Sequence, residues 1–386
     1  MRRILLSVAV LVAALAVPLL PGPAAAAGLT AVPDFGSNPG NLAMYEYVPA
    51  SVRAAPAVVV AMHGCTQTAA DYHGRSGWPK YADAYGFVVV FPEQRTGNNA
   101  NRCFNWFQPG DATRGQGEAL SVRQMVDSAR SRHPGGAAYV TGLSGGGAMT
   151  AVLLAAYPEV FAGGSVVAGL PAGCASDVVS AFSCMNPGVD RTPAQWRAAV
   201  QPAAAYPRVA VWHGTADTTV VPRNADELRD QWTAVHGVAA TPTSTGTLPG
   251  TTVETYGSGQ VRVYRVAGMG HGTPVDPGGA TEQCGTAGAY FLDTVCSSYY
   301  TARFWGLDAG GPGPAPTATT APPPVPATCH PGTNYEHVQA GRATTTGGYV
   351  YARGSGQAMG LHNVFIRHTL RQSPPGYYTV ADAGCP

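Results

Sequence analysis

Gly142-Leu143-Ser144-Gly145-Gly146, set directly after the apolar run Ala137-Ala138-Tyr139-Val140, is the stretch on which the reading of this chain turns. A serine bracketed by glycines at the end of a short buried strand has the form of a nucleophile elbow, a sharp strand-to-helix turn that lifts a hydroxyl into the open. The glycines have a steric task. Strand and helix must pass close together there, and a Cβ at either flanking position would clash. Ala148-Met149-Thr150-Ala151-Val152-Leu153-Leu154-Ala155-Ala156 follows, a run of small and apolar residues that reads as the departing helix. The five-residue pattern says little by itself in a chain with 49 glycines among 386 residues. The strand before it and the helix after it give it weight.

A serine hydroxyl needs an imidazole to take its proton and a carboxylate to orient that imidazole. In the α/β-hydrolase arrangement the acid and then the histidine follow the serine, each on a loop after a later strand. Val209-Ala210-Val211-Trp212 reads as a strand, and His213-Gly214-Thr215-Ala216-Asp217 runs off its end, which puts Asp217 where the acid belongs. Val261-Arg262-Val263-Tyr264-Arg265-Val266 alternates as a strand does and exits into Gly268-Met269-Gly270-His271-Gly272, so that His271 lies in a glycine-flanked turn. His73, His133 and His236 stand in polar, surface-like contexts, and His213 is too near Asp217 in sequence to be its obvious partner. Upstream, Pro56-Ala57-Val58-Val59-Val60-Ala61-Met62 is apolar throughout, as a strand covered on both faces should be. It ends in His63-Gly64-Cys65-Thr66-Gln67, at the place of the loop that donates one backbone N–H to the oxyanion; the Gly145 amide would be the second donor. Losing one such donor costs about 2.7–4 kcal/mol of transition-state stabilisation. These four components, in this order, predict a serine esterase with an α/β-hydrolase fold, a mostly parallel sheet with helices on both faces.

The ends of the chain add context. Met1-Arg2-Arg3, the apolar residues 4–20 and Pro21-Gly22-Pro23-Ala24-Ala25-Ala26-Ala27 have the three zones of a signal peptide, so residues 1–27 are expected to be removed and the protein secreted. No other segment is apolar enough to span a bilayer. The formal net charge is +1 and only 12% of residues are charged, which points away from nucleic acid and anionic membranes as partners and suits work at a neutral, apolar surface. Eight cysteines in an exported chain favour disulfides over metal sites, and no metal-ligand spacing occurs. Spacing does not settle the pairing. Proximity suggests Cys174–Cys184 and Cys284–Cys296, Cys329 and Cys385 stand at the two ends of the last segment, and Cys65 is left with Cys103. No metal or cofactor is implied, and the protein is expected as a monomer.

Three mature segments are expected: a catalytic domain over residues 28–307, a Pro/Thr/Ala-rich linker over 308–328 that cannot form a core, and a small module over 329–386. A Cys329–Cys385 bridge would add on the order of 4 kcal/mol to that module by loop closure.

Taken together, these motifs and the tail resemble the extracellular depolymerases of short-chain polyhydroxyalkanoates, with poly(3-hydroxybutyrate) the type polymer. The resemblance rests on His63-Gly64-Cys65-Thr66-Gln67, Asn105-Trp106-Phe107, Gly142-Leu143-Ser144-Gly145-Gly146, Asp217 and Gly270-His271. Feruloyl and acetylxylan esterases share those motifs, so they specify chemistry better than substrate, and an esterase of plant cell-wall polysaccharide is the alternative. In the tail it rests on Asn334-Tyr335-Glu336-His337-Val338-Gln339-Ala340-Gly341-Arg342-Ala343, Gly354-Ser355-Gly356-Gln357-Ala358-Met359-Gly360-Leu361 and Pro375-Gly376-Tyr377-Tyr378. Gly356 departs from it, standing where a more polar residue is expected. The resemblance implies triad roles for Ser144, Asp217 and His271, an oxyanion donor at the Cys65 amide, and substrate contacts at Trp106 and His63. It also implies that residues 329–386 bind an insoluble polyester surface. The tail's own chemistry agrees: Tyr335, Tyr349, Tyr351, Tyr377, Tyr378 and Phe365, with no tryptophan, suit methyls and ester carbonyls better than sugar faces.

Overall fold

Val58-Val59-Val60-Ala61-Met62 is apolar at every position because both faces of its strand are covered: Val58, Val60 and Met62 enter one core, Val59 and Ala61 the other. In the computed structural model of the chain, residues 28–309, 328–353, 355, 357–372, 378–382 and 384 are described. The expected signal peptide, residues 310–327 of the expected linker, Gly354, Gly356, residues 373–377 and Cys385 lie outside the described residues. The chain divides into two compact units, Met1–Ala315 and Pro316–Pro386.

The first unit is built on one ten-stranded sheet. Its strands in chain order are β1 (Thr30–Ala31), β2 (Ala43–Tyr47), β3 (Val58–Met62), β4 (Val88–Glu93), β5 (Ala138–Leu143), β6 (Phe161–Val167), β7 (Arg208–Gly214), β8 (Ser244–Leu248), β9 (Thr251–Tyr256) and β10 (Val261–Val266). Across the sheet they run β1-β2-β4-β3-β5-β6-β7-β10-β9-β8. The block from β4 to β10 is parallel, and antiparallel pairs close both edges. The fold class expected from the sequence is the one observed; the β8–β9 hairpin at the far edge had no clear signal.

Helices cover both faces. Val122, Met125 and Val126 of Gly117–Arg132, most of Gly145–Ala156, and Leu228 and Trp232 of Arg223–His236 pack on one side. Tyr72 of Ala69–Arg75, Trp78 and Tyr81 of Trp78–Tyr85, and Phe304 and Trp305 of Ser297–Trp305 pack on the other. The parallel strands end together at one edge of this sandwich, and the loops leaving β3, β5, β7 and β10 gather there.

The elbow shows its steric logic directly. Ser144 sits at φ 55° and ψ −115°, a left-handed conformation unusual for a residue with a side chain. A Cβ on Gly142 would lie 2.5 Å from the Gly146 carbonyl carbon, and one on Gly146 would lie 2.4 Å from the His63 carbonyl oxygen and 2.8 Å from that of Met62. These are backbone atoms of β3 and the helix start, which cannot step aside separately.

The second unit pairs two small sheets. Thr328–Thr333, Arg367–Gln372 and Tyr378–Val380 form one, and Ala343–Thr346, Tyr349–Ala352 and Ala358–Leu361 the other. Among the described residues its buried apolar cluster is Ala343, Val350, Ala352, Met359 and Leu370, with Val338, Tyr378 and Val380 packed against it, so buried polar side chains share the work. Asn334 donates to the Met359 and Leu361 carbonyls at 2.6 and 2.9 Å, and Arg342 donates to His337 Nδ1 at 3.1 Å. Thr333 and Glu336 cap the short helix Asn334–Gln339. Several large apolar residues are left on the surface: Tyr335, Tyr349, Leu361, Val364 and Phe365, the last 85% exposed.

Gly146→Ala should destabilise the first unit by about 3 kcal/mol, the upper end of overpacking costs, because backbone must move to admit the methyl. Urea denaturation of the variant against the wild type checks this.

Candidate active site

Ser144 stands where β5 turns into the helix Gly145–Ala156, its own N–H still donating to Val167 O of β6 at 2.9 Å. His271 comes from the turn after β10 and Asp217 from the turn after β7. The three meet. His271 Nε2 lies 2.9 Å from Ser144 Oγ, and His271 Nδ1 lies 2.7 Å from Asp217 Oδ2. An ionised carboxylate only accepts, so Nδ1 carries the hydrogen and Nε2 is left to receive the serine proton.

The acid is buried and fully engaged. Asp217 Oδ1 accepts from the amides of Thr219 and Val220, both at 2.9 Å. Burial opposes its charge, but chiefly the His271 hydrogen bond and then the Val220 amide outweigh that, and its pKa lies below the ordinary value. His213, passed over in the sequence, braces this loop: it is buried and its Nε2 donates to Val220 O at 2.7 Å. Its burial lowers its pKa, which keeps the ring neutral beside the acid. Access rises along the series, from an Asp217 side chain with no exposed surface to a His271 side chain 10% exposed.

The loop after β3 closes over the start of the Gly145–Ala156 helix. A Cβ on Gly145 would lie 3.1 Å from Cys65 Sγ. Neither the Cys65 nor the Gly145 amide donates to an acceptor among the described residues. Cys65 is bonded to Cys103, and Thr66 N donates to Asn101 O at 2.6 Å, so two loops are held as one.

Beneath them lies a polar layer with no sequence signal. Glu118, buried in the helix Gly117–Arg132, accepts from the amide and the side chain of Asn105, both at 2.8 Å, and from Gln94 Nε2. Gln94 Nε2 also reaches Cys103 O at 3.0 Å, and Gln94 N donates to His63 Nε2 at 3.1 Å. Burial pushes the Glu118 carboxyl up to about 8, against the lowering effect of the Asn105 and Gln94 donors.

This layer corrects the expectation of a substrate contact at His63. Its ring is buried, Nδ1 donates to Gly64 O at 2.7 Å, and Nε2 is occupied by Gln94. Burial brings its pKa down to about 4, so it is a neutral strut under the loop. Trp106, expected to wall the crevice, is 7% exposed, with its ring in the core edge-on to Phe107 at 5.5 Å. His73 and His236 are also less exposed than their contexts suggested: His73 packs on Tyr47 and Phe91, and His236 Nε2 reaches Pro207 O at 3.0 Å.

Cys174–Cys184 and Cys284–Cys296 are bonded as well. Cys329 is in a disulfide, while Cys385, its expected partner, lies outside the described residues. Among the described residues no group of His, Cys, Asp or Glu could hold a metal ion, and no helix is long and apolar enough to cross a membrane.

A serine at a strained elbow, an imidazole and a carboxylate on later loops, and a parallel sheet that presents all three define an α/β-hydrolase. Residues 41–254 match the esterase PHB depolymerase family, and the chain belongs to it. Poly(3-hydroxyalkanoate) depolymerase C of Paucimonas lemoignei is 50% identical over 291 residues, which are 72% of this chain and 70% of that protein. Feruloyl esterase B of Talaromyces funiculosus is 37% identical over 267 residues, 65% of this chain and 75% of that one. The solved acetyl xylan esterase of Aspergillus awamori superposes with a TM-score of 0.60 at 31% identity, covering 63% of this chain and 94% of its own. The chain is a carboxylic ester hydrolase.

Glu118 binds its proton more tightly folded than unfolded, so its contribution to stability is full below the ordinary value of 4.5 and is lost as pH rises through about 8. Thermal melts across that window should fall for the wild type relative to Glu118→Gln, and a constant difference between the two would exclude the carboxyl as the cause.

Proposed function

We propose that the protein is a secreted depolymerase of poly(3-hydroxybutyrate)-type polyester acting through Ser144, His271 and Asp217. The observation that carries the chemistry is the 2.9 Å approach of His271 Nε2 to Ser144 Oγ, with Asp217 at 2.7 Å behind it. Ser144 Oγ attacks the ester carbonyl as His271 takes its proton, forming a tetrahedral oxyanion that the Cys65 and Gly145 amides receive. His271 returns the proton to the departing hydroxyl end of the polymer, leaving an acyl-serine. A water, deprotonated by the same imidazole, then attacks the acyl carbon and releases the carboxylic acid end and free Ser144.

The polyester assignment is supported by the 50% identity to the Paucimonas lemoignei depolymerase and by the second unit. In its Asn334-Tyr335-Glu336-His337 motif, Asn334, Glu336 and His337 serve the fold, whereas Tyr335 is 44% exposed and stacks on His362. With Tyr349, Leu361, Val364 and Phe365 it offers rings and branched aliphatics to a surface of methyls and esters. We assign residues 1–27 to export, 308–328 to a tether and 329–386 to adsorption, which raises the enzyme's local concentration at an insoluble substrate. The protein acts as a monomer in this reading.

Ser144→Ala should abolish turnover of p-nitrophenyl butyrate and clearing of a poly(3-hydroxybutyrate) suspension alike. Retained turnover of the soluble ester would overturn the triad, and wild-type turnover without clearing would move the substrate to plant cell-wall esters. Removing residues 316–386 should leave soluble-ester turnover intact and slow attack on polymer film by about tenfold or more. An equal loss on both substrates would make the second unit a structural part of the enzyme.

A further inference from the structure

Beside His271 stands an aromatic residue at a turn position that ordinarily takes glycine. Tyr290 holds φ at 62°, in the left-handed region that glycine accepts and a bulky side chain does not, at a cost of about 1–3 kcal/mol. Its backbone has no freedom to relax. Tyr290 O accepts from Thr273 N at 2.8 Å, Gly288 and Phe291 exchange backbone hydrogen bonds at 2.9 and 3.0 Å, and Thr273–Val275 pairs with Phe291–Asp293. Gly272 presses so near that a Cβ there would lie 2.9 Å from Tyr290 O, Phe291 is buried, and the Cys284–Cys296 bond closes the loop.

The ring gains little burial in exchange. Tyr290 is 46% exposed, and among the described residues its ring contact is with His271, edge-on, with centroids 6.3 Å apart. The turn thus holds an exposed ring, in a conformation a smaller residue would adopt at less cost, next to the imidazole that meets Ser144. We propose that Tyr290 is a substrate-facing residue, whose ring packs against the aliphatic part of the ester held between Ser144 and His271. It fills the place left open by Trp106, which is committed to the core. A ring face matches a repeat of short alkyl branches. The proposal rests on Ser144 and His271 being the reacting pair.

Tyr290→Ala, Tyr290→Gly and Tyr290→Phe in the full chain, assayed on p-nitrophenyl butyrate and on soluble hydroxybutyrate oligomers, test it. The Ala and Gly variants should raise KM by about tenfold, the loss of one ring contact, with kcat nearly unchanged, and Phe should stay close to wild type. Tyr290→Gly should melt at or above the wild-type temperature, because glycine accepts the backbone angle without strain. A KM unchanged in the Ala and Gly variants, or raised only together with a fall in Tm in both, would overturn the assignment and make the ring part of the framework. Ser144→Ala beside them separates the two levels: if it is inert while KM ignores Tyr290, the reacting pair stands and only Tyr290 is misassigned; if it turns over, both fall.

Discussion

The active edge of this protein depends on the close approach of three backbones: β3, the end of β5 and the first turn of the Gly145–Ala156 helix. Gly142 and Gly146 allow it, since any side chain at either would meet carbonyl carbon or oxygen well inside contact distance. Two consequences follow from that single constraint. Ser144 is forced into a left-handed turn that aims its hydroxyl at His271, and Gly145 is brought against Cys65, so two amides with no acceptor among the described residues share one corner. The Ser144 hydroxyl and the Cys65 and Gly145 amides, the nucleophile and oxyanion donors of the proposed reaction, are therefore set by the same packing.

Around that corner the protein handles buried polar groups in two ways. Asp217 is kept charged in a site without solvent because two amides and the imidazole satisfy it. The imidazole is thereby held in the tautomer that can accept from serine. Glu118 accepts only from neutral donors and has the Asp111 carboxylate nearby, so burial dominates and its carboxyl is pushed up. Its role is mechanical: through Asn105 and Gln94 it holds the loop that bears Cys103, and through the disulfide the loop that bears Cys65. A site whose donors lie on loops needs such a support, because loops have no ladder of their own to fix an amide within tenths of an ångström.

The second unit solves a different problem with few residues. Among the described residues five small or medium apolar side chains form its buried core, and buried Asn334 and His337 hydrogen bonds supply the specificity that such a core lacks. Economy inside leaves its larger apolar residues, Phe365 and Tyr349 among them, on the outside. That distribution is a poor way to stabilise a domain, and it is the feature on which the proposed adsorption rests.

Much of this was legible in the chain itself. Uninterrupted apolar runs at Val58–Met62 and around Val209–Trp212 predict strands covered on both faces, and small residues at fixed spacing around Ser144 predict the elbow, because both signals are local. The order of Asp217 and His271 along the chain was readable for the same reason: each follows its own strand. Which side chains touch was decided by the tertiary structure alone, since Ser144 and Asp217 lie 127 and 54 residues from the imidazole they meet. The same is true of His63 turned inward, Trp106 given to the core, Glu118 under the joined Cys65 and Cys103 loops and Tyr290 beside His271. None has a periodic neighbourhood that marks it, because burial and protonation are properties of the surfaces packed around a residue, and those surfaces come from distant parts of the chain.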